Sequence, residues 1–207
     1  MEIETVSDLF YARTRKRYLY NITAIANIPS IMQRGIVSHD SAQRFQHNSI
    51  AMTDVQERRS LIKVPNGLRL HQYANLYFTY HNPMMYKRKE LSEALCVLAV
   101  SAAVLNINEC VVSDMNAAAS LVRFYSAAEG IGVLDFDMVF AEYWVHPGDM
   151  IKTHNHKAIK CAEILVPFAI PFSYIDGAYV VSQKSKESLE STGFNKRIVV
   201  RPSVFFQ

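Results

Sequence analysis

A carboxylate and an aliphatic run, Glu163-Ile164-Leu165-Val166, follow directly on a cationic stretch, His154-Asn155-His156-Lys157-Ala158-Ile159-Lys160. The aliphatic run has the length of a buried strand, and such a strand ordinarily starts on a small or apolar residue. An acid at its head has two readings: a carboxylate aimed into a cleft, where it can move a proton or steady a positive charge, or a solvated charge at a sheet edge. The neighbouring cations would keep it ionised. Three more basic clusters lie upstream: Arg13, Arg15, Lys16 and Arg17; then Arg58, Arg59 and Lys63; then Lys87, Arg88 and Lys89. Such clusters suit a phosphate backbone, and equally a solvated face. A hydrolase is disfavoured, because no Gly-x-Ser-x-Gly motif accompanies the histidines and cysteines. Cys96, Cys110 and Cys161 are odd in number and set mostly in apolar segments, so they are expected as reduced, buried thiols, and no metal is expected.

Several elements must position these groups. Residues 18–22 have the aromatic and β-branched content of a strand. A short helix follows, with Ile28, Ile31 and Met32 at helical spacing, Pro29 in its first turn and Gly35 as its cap. Residues 38–49 are polar and read as a long loop, a candidate cover for a ligand. Residues 74–80 read as a strand, with a turn at His81-Asn82-Pro83, and residues 96–100 as a buried strand. A helix started by Ser113 or Asp114 is predicted over 115–128, carrying Arg123, then an irregular loop over 130–135 and a short helix near 138–144. The last third alternates strands at 163–167, 179–181 and 198–200 with a helix near 184–192. Short strands and helices without strict β-α-β order indicate an α+β fold. A doubly wound nucleotide fold is disfavoured, since no Gly-rich phosphate loop follows a strand.

The chain has 207 residues, half of them hydrophobic, and only seven glycines and seven prolines, which fits one globular domain over 1–207. No apolar run approaches the roughly 20 residues needed to cross a bilayer, and the N-terminus lacks a signal peptide's apolar core, so a cytoplasmic monomer without membrane contact is expected. The net charge of +3 is mild.

Together, Tyr20-Asn21-Ile22-Thr23, Ser49-Ile50-Ala51, Gln56-Glu57-Arg58-Arg59, Lys63-Val64-Pro65, Leu76-Tyr77-Phe78, Asn82-Pro83-Met84-Met85-Tyr86 and Ala162-Glu163 make the chain resemble the DarT family of DNA ADP-ribosyltransferase toxins. The resemblance runs from about residue 18 to the C-terminus. It implies the ADP-ribosyltransferase fold, related to the poly-ADP-ribosyl enzymes, with two packed central β-sheets flanked by short helices. It also implies a toxin-antitoxin system in which a base of single-stranded DNA is modified from NAD and a macrodomain antitoxin removes the mark. In that pattern the catalytic residues are Glu163 and Arg59, and the family's NAD-binding histidine falls on Asn21, a departure. NAD contacts are implied at Asn21, Thr23, Tyr77 and Tyr20, with Tyr77 against the nicotinamide. DNA contacts are expected at Arg123, Asn116, His156 and Lys160. Glu163→Ala is expected to leave the fold intact. Competing readings are a protein mono-ADP-ribosyltransferase, an RNA 2′-phosphotransferase, and a non-catalytic nucleic-acid-binding module.

Overall fold

The computed structural model describes residues 4–50 and 53–206. Among them run ten strands: β1 (Tyr18–Ala24), β2 (Ile36–Val37), β3 (Tyr73–Tyr77), β4 (Leu95–Ser101), β5 (Val111–Ser113), β6 (Phe124–Ser126), β7 (Glu163–Pro167), β8 (Ala169–Ile170), β9 (Ile175–Val180) and β10 (Arg197–Val200). The α-helices are α1 (Val6–Thr14), α2 (Ile28–Arg34), α3 (His39–Ala42), α4 (Thr53–Ser60), α5 (Pro83–Tyr86), α6 (Ala127–Val133), α7 (Phe136–Phe140), α8 (Met150–Ile159) and α9 (Gln183–Ser191).

Eight strands form one sheet in the order β10-β9-β4-β1-β3-β7-β5-β6, while β2 and β8 pair separately. All neighbours are antiparallel except β9 and β10, so the chain is α+β, as expected. The sheet is uneven at its centre. β1 matches β4 over seven registered pairs and β3 matches β7 over five, yet β1 and β3 share one, Tyr20 with Tyr77. It is therefore two four-stranded halves hinged at that pair, the form in which the two expected sheets occur. A large apolar core spans both halves: Leu19 and Leu98 come from one, Leu76 and Ile164 from the other.

Local signals account for most of these elements. Pro29 sits in the first turn of α2, and Gly35 ends it at φ 76°, where a Cβ would lie 2.1 Å from the Ile170 carbonyl oxygen. Only glycine fits so close to the β2–β8 pair. Asn82 is fully buried, accepts the Met85 N–H at 3.0 Å and donates to the Thr79 carbonyl at 3.0 Å, so it both caps α5 and ends the preceding turn. β3 stops at Tyr77, three residues short of the expected end, because Asn82 has already drawn residues 79–82 into that turn. The polar stretch from residue 38 contains α3, capped by Ser38, rather than loop alone.

The largest difference from expectation lies between residues 115 and 135. Residues 115–122 form turns, β6 follows at Phe124, and the helix begins only at Ala127, so the 115–128 helix is absent and the 130–135 segment is largely helical. The capping pair is Ser126 with Glu129, not Ser113 or Asp114: the Ser126 hydroxyl accepts the Glu129 N–H at 3.3 Å and the Glu129 carboxylate accepts the Ser126 N–H at 3.2 Å. The alanines at 117 and 118 are buried in this turn, where the Ala117 N–H meets Glu163, rather than propagating a helix.

Candidate active site

Glu163 opens β7, fully buried, across from Tyr77 on β3 and Ser113 on β5. Arg59 closes α4, a helix whose first turn carries Asp54 and whose last carries Arg58 and Arg59, matching its dipole. The Arg59 Nη1 group donates to both carboxylate oxygens of Glu163, at 3.0 and 3.1 Å, and the Ala117 N–H donates to Oε1 at 2.9 Å. The Glu163 N–H in turn donates to the Ser113 hydroxyl at 3.2 Å, and that hydroxyl donates to the Met115 carbonyl at 2.7 Å. Burial opposes the Arg59 charge, but the Glu163 carboxylate more than offsets it and holds the guanidinium above its ordinary value. The Tyr77 phenol is driven well above its ordinary value, by burial first and then by the Glu163 charge. The pair is thus an ion pair with neutral partners around it, and the carboxylate lies sealed behind Arg59 and the 115–117 turn.

A cleft of about 250 Å³ opens where β1 and β3 part. Asn21 and Ile22 form one wall and Asn75 and Tyr77 the other, and the Asn21 side-chain amide donates across the gap to the Asn75 carbonyl at 3.3 Å. Gln56 and Arg59 from α4, Met84 and Lys87 around α5, and Asn116 and Cys161 complete it. A second compartment, of about 170 Å³, shares Gln56, Arg59 and Asn75 and extends to His39, Ser49 and Tyr73. Arg59 borders both, so an elongated ligand can run past its guanidinium.

Of the residues singled out in the sequence, Glu163, Arg59, Tyr77, Asn21 and Asn116 gather at this place. Others lie elsewhere. Thr23 does not line the cleft and accepts from the Asn27 side chain at 3.3 Å. Tyr20 packs its ring edge-on against Tyr80, centroids 4.8 Å apart, outside the cleft. Arg123 is exposed beside the 113–116 turn, not on a helix; its N–H donates to the Asp114 carboxylate at 2.9 Å.

His156 and Lys160 correct the expectation of DNA-facing cations. His156 is buried, sharing a 2.9 Å hydrogen bond with His146 and another of 2.9 Å with the Met138 carbonyl. Lys160 is 1% exposed, donates to the Val139 and Ala141 carbonyls, and has its amine pushed down to about 8 by burial. Both pin the end of α7 and the segment that follows it rather than face solvent. The reason is the helical period of α8, which turns these two inward while His154 and Lys157 stay out. The cation at Glu163 is instead Arg59, supplied from 104 positions upstream.

Gln56, Asn75, Cys161 and the Ala117 N–H belong to the site without being among the site residues expected from the sequence. Gln56 is one helical turn before Arg59 and Asn75 is two strand positions before Tyr77, so period alone could have placed both on the same faces. The backbone donor at Ala117 carries no such signal. Among the described residues no three His, Cys, Asp or Glu side chains gather as a metal site would require.

Comparison with known proteins agrees with this geometry. The family model for DarT, ssDNA thymidine ADP-ribosyltransferase, matches residues 20–206. A DNA ADP-ribosyl transferase of Thermus sp. (strain 2.9) is 31% identical over 183 residues, covering 83% of this chain and 84% of its own. A DNA ADP-ribosyl transferase-DNA ADP-ribosyl glycohydrolase fusion protein of Thermosipho africanus (strain H17ap60334) is 31% identical over 199 residues, covering 93% of this chain. This chain spans half the length of that fusion. Among solved structures, Thermus sp. 2.9 DarT in complex with ADP-ribosylated ssDNA superposes with a TM-score of 0.79 at 25% identity, over 93% of this chain and 97% of that one. Thermosipho africanus DarTG in complex with ADP-ribose gives 0.77 at 26%, over 92% of this chain and 51% of that one. With its split sheet, its buried Arg59–Glu163 pair and a match from residue 20 to residue 206, the chain belongs to the DarT family.

Proposed function

We propose that this protein transfers ADP-ribose from NAD to thymidine in single-stranded DNA, as one ADP-ribosyltransferase domain made by these 207 residues. The observation that carries the reading is the buried Glu163 paired with Arg59 at the junction of two compartments, a shape that suits a dinucleotide bent at its pyrophosphate. Related proteins described as DNA ADP-ribosyl transferases, and one solved with ADP-ribosylated ssDNA, support it.

The reaction breaks the bond between nicotinamide and its ribose carbon. Nicotinamide leaves with the bonding electrons, the sugar becomes oxocarbenium-like, a thymine ring nitrogen attacks it, and the imide proton is lost. Glu163 is the group that steadies the sugar through a ribose hydroxyl and accepts that proton. It can do so only when uncovered. The guanidinium of Arg59 has donors beyond those on Glu163 and suits a phosphate or a thymine carbonyl, so an arriving substrate draws it off the carboxylate. Tyr77, kept neutral by its surroundings, lines the cleft wall as the ring for nicotinamide to rest against, and Asn21 offers an amide where the family pattern has histidine. Asn116, on the turn that also supplies the Ala117 N–H, is the candidate to read the base.

This reading places the protein in the cytoplasm as a monomer; no helix among the described residues is long and apolar enough to cross a membrane. Its opposing partner is a macrodomain antitoxin, in line with the glycohydrolase joined to the Thermosipho relative. The test is the mass of an oligodeoxynucleotide after incubation with NAD. Wild type adds one ADP-ribose to a thymidine-containing strand and none to a thymidine-free one, while Glu163→Gln, which preserves shape, loses at least about 10²-fold in rate. A Glu163→Gln variant as fast as wild type would end the proposal.

A further inference from the structure

The half-sheet of β1, β4, β9 and β10 has one face in the core, through Leu19, Leu98, Ala178 and Val180. Its other face is covered only in part. That cover includes Val204 and Phe205, clustered with Ile22, Val97 and Val181, and the Tyr80 ring against Tyr20 and Tyr179. Beyond it one row crosses all four strands: Tyr20 of β1 is registered with Ala99 of β4, Ala99 with Gly177 of β9, and Gly177 with Arg197 of β10. The two smallest side chains stand in the middle, and the result is an open trough of about 210 Å³.

Its rims are aromatic on one side and cationic on the other. Tyr18 is 37% exposed, Tyr179 is half-buried, and Arg197 and Arg201 are exposed. Among the described residues neither arginine takes part in an ion pair, and one carboxylate, Asp176, lines the trough against those two cations. A chain of aromatic contacts links the trough to the wall of the cleft. Tyr179 contacts the Tyr80 ring at 6.3 Å, Tyr80 contacts Tyr20, and Tyr20 stands opposite Tyr77 at the hinge of the two half-sheets. Along β1 the same face carries Tyr18, Tyr20 and then Ile22, a cleft residue, over about 13 Å.

We propose that this trough is a second contact surface for single-stranded DNA, holding the part of the strand that lies outside the nucleotide in the cleft. It rests on the reading of the preceding subsection for the identity of the strand. Bases stack on tyrosine rings without regard to sequence, an open sheet face with a low floor lets them lie flat, and two guanidinium groups meet phosphates in bidentate fashion. The outer side of a mostly antiparallel sheet is ordinarily just solvated; two arginines outside any ion pair, beside an exposed and a half-buried tyrosine over a hollowed floor, are the departure from that state.

The experiment uses two oligodeoxynucleotides: a short one limited to the target thymidine and its immediate neighbours, and the same core extended on both sides with deoxyadenosine. Binding is measured by anisotropy across a salt series, and turnover by mass, for wild type, Tyr18→Ala and the double variant Arg197→Ala/Arg201→Ala, each checked for a wild-type melting profile. Wild type is expected to favour the extended strand. Tyr18→Ala raises Kd and KM for it about tenfold, and the double variant lowers the slope of log K against log salt by about 1.4, while neither alters the short substrate. Equal wild-type affinity for both strands overturns the proposal, as does equal weakening of both by the variants. So does a wild-type self-association, or capture of a protein domain, that Arg197→Glu/Arg201→Glu abolishes with DNA binding unchanged. Preferential binding of the extended strand without any modification of either removes the transferase assignment and leaves the trough standing.

Discussion

The central residue-scale fact is that two adjacent arginines have opposite circumstances. Arg58 is exposed and pairs with Asp54 four positions earlier at 3.6 Å, whereas Arg59 is buried on Glu163. An exposed pair at that spacing contributes about 0.3–0.5 kcal/mol, so Arg58→Ala is expected to shift stability by no more than that and to leave transfer near wild type. Arg59→Ala removes transfer and strands a buried carboxylate, which costs about 3–5 kcal/mol in similar settings. Urea unfolding and the oligonucleotide mass assay on the two variants together check this; equal effects would mean the buried pair has been misassigned. The same physics corrects the expectation that Glu163→Ala leaves the fold intact, because that variant strands the guanidinium instead. Glu163→Gln, with shape and part of the hydrogen bonding kept, separates catalysis from stability. The acid was visible in the sequence as an oddity at the head of an apolar run, and its partner only through family resemblance.

At the level of elements, apolar and β-branched runs located the principal strands, including β7 with the bounds expected for it, while helices such as α1 and α8 went unpredicted. The failure between residues 115 and 133 has a physical cause: alanine is both the best helix former and the smallest core residue, and here packing outweighs propensity. Two glycines of α6 provide a test. A Cβ on Gly130 would lie 2.5 Å from Val112, which is fully buried on β5, while one on Gly132 meets nothing within 4 Å. Gly130→Ala is therefore expected to destabilise by about 1–3 kcal/mol, and Gly132→Ala to stabilise by up to about 1 kcal/mol. Urea midpoints of both decide it; loss of stability in Gly132→Ala would show that α6 is not held as described. Arg13, which donates to the Ile131 and Gly132 carbonyls at the end of α6, ties this helix to α1 and is structural, though it belonged to a cluster that also suited phosphate.

For the molecule as a whole, buried titratable groups set the pH range of stability. Burial lowers His39, His71 and His81 from their usual 6.5, so below that pH the unfolded chain takes up protons that the folded chain refuses, and stability falls. On the alkaline side burial pushes Cys96, Cys110 and Cys161 from 9.0 up to about 12. From pH 9 upward the unfolded chain loses protons that the folded one retains, and stability falls again; Tyr20 and Tyr77, also raised, add to this. Lys160 works the other way between about 8 and 10.5, one group against five. The urea midpoint should therefore plateau between about pH 7 and 8.5 and drop on either side. A midpoint rising from pH 9 to 11 would contradict the burial of the thiols.

Much of this protein follows from neighbours along the chain. Strand and helix identity, the α+β class, the buried thiols and the carboxylate at the head of β7 depend on periods, caps and short apolar runs, which a linear reading contains. Partnership does not. That Glu163 meets Arg59, that Asn21 faces Asn75 across a parted sheet, and that His156 and Lys160 turn inward follow from where distant segments settle when the core closes. Side-chain burial is a property of that closed core, so residues of the same type and charge, one position apart in α4, end in water and in the active site.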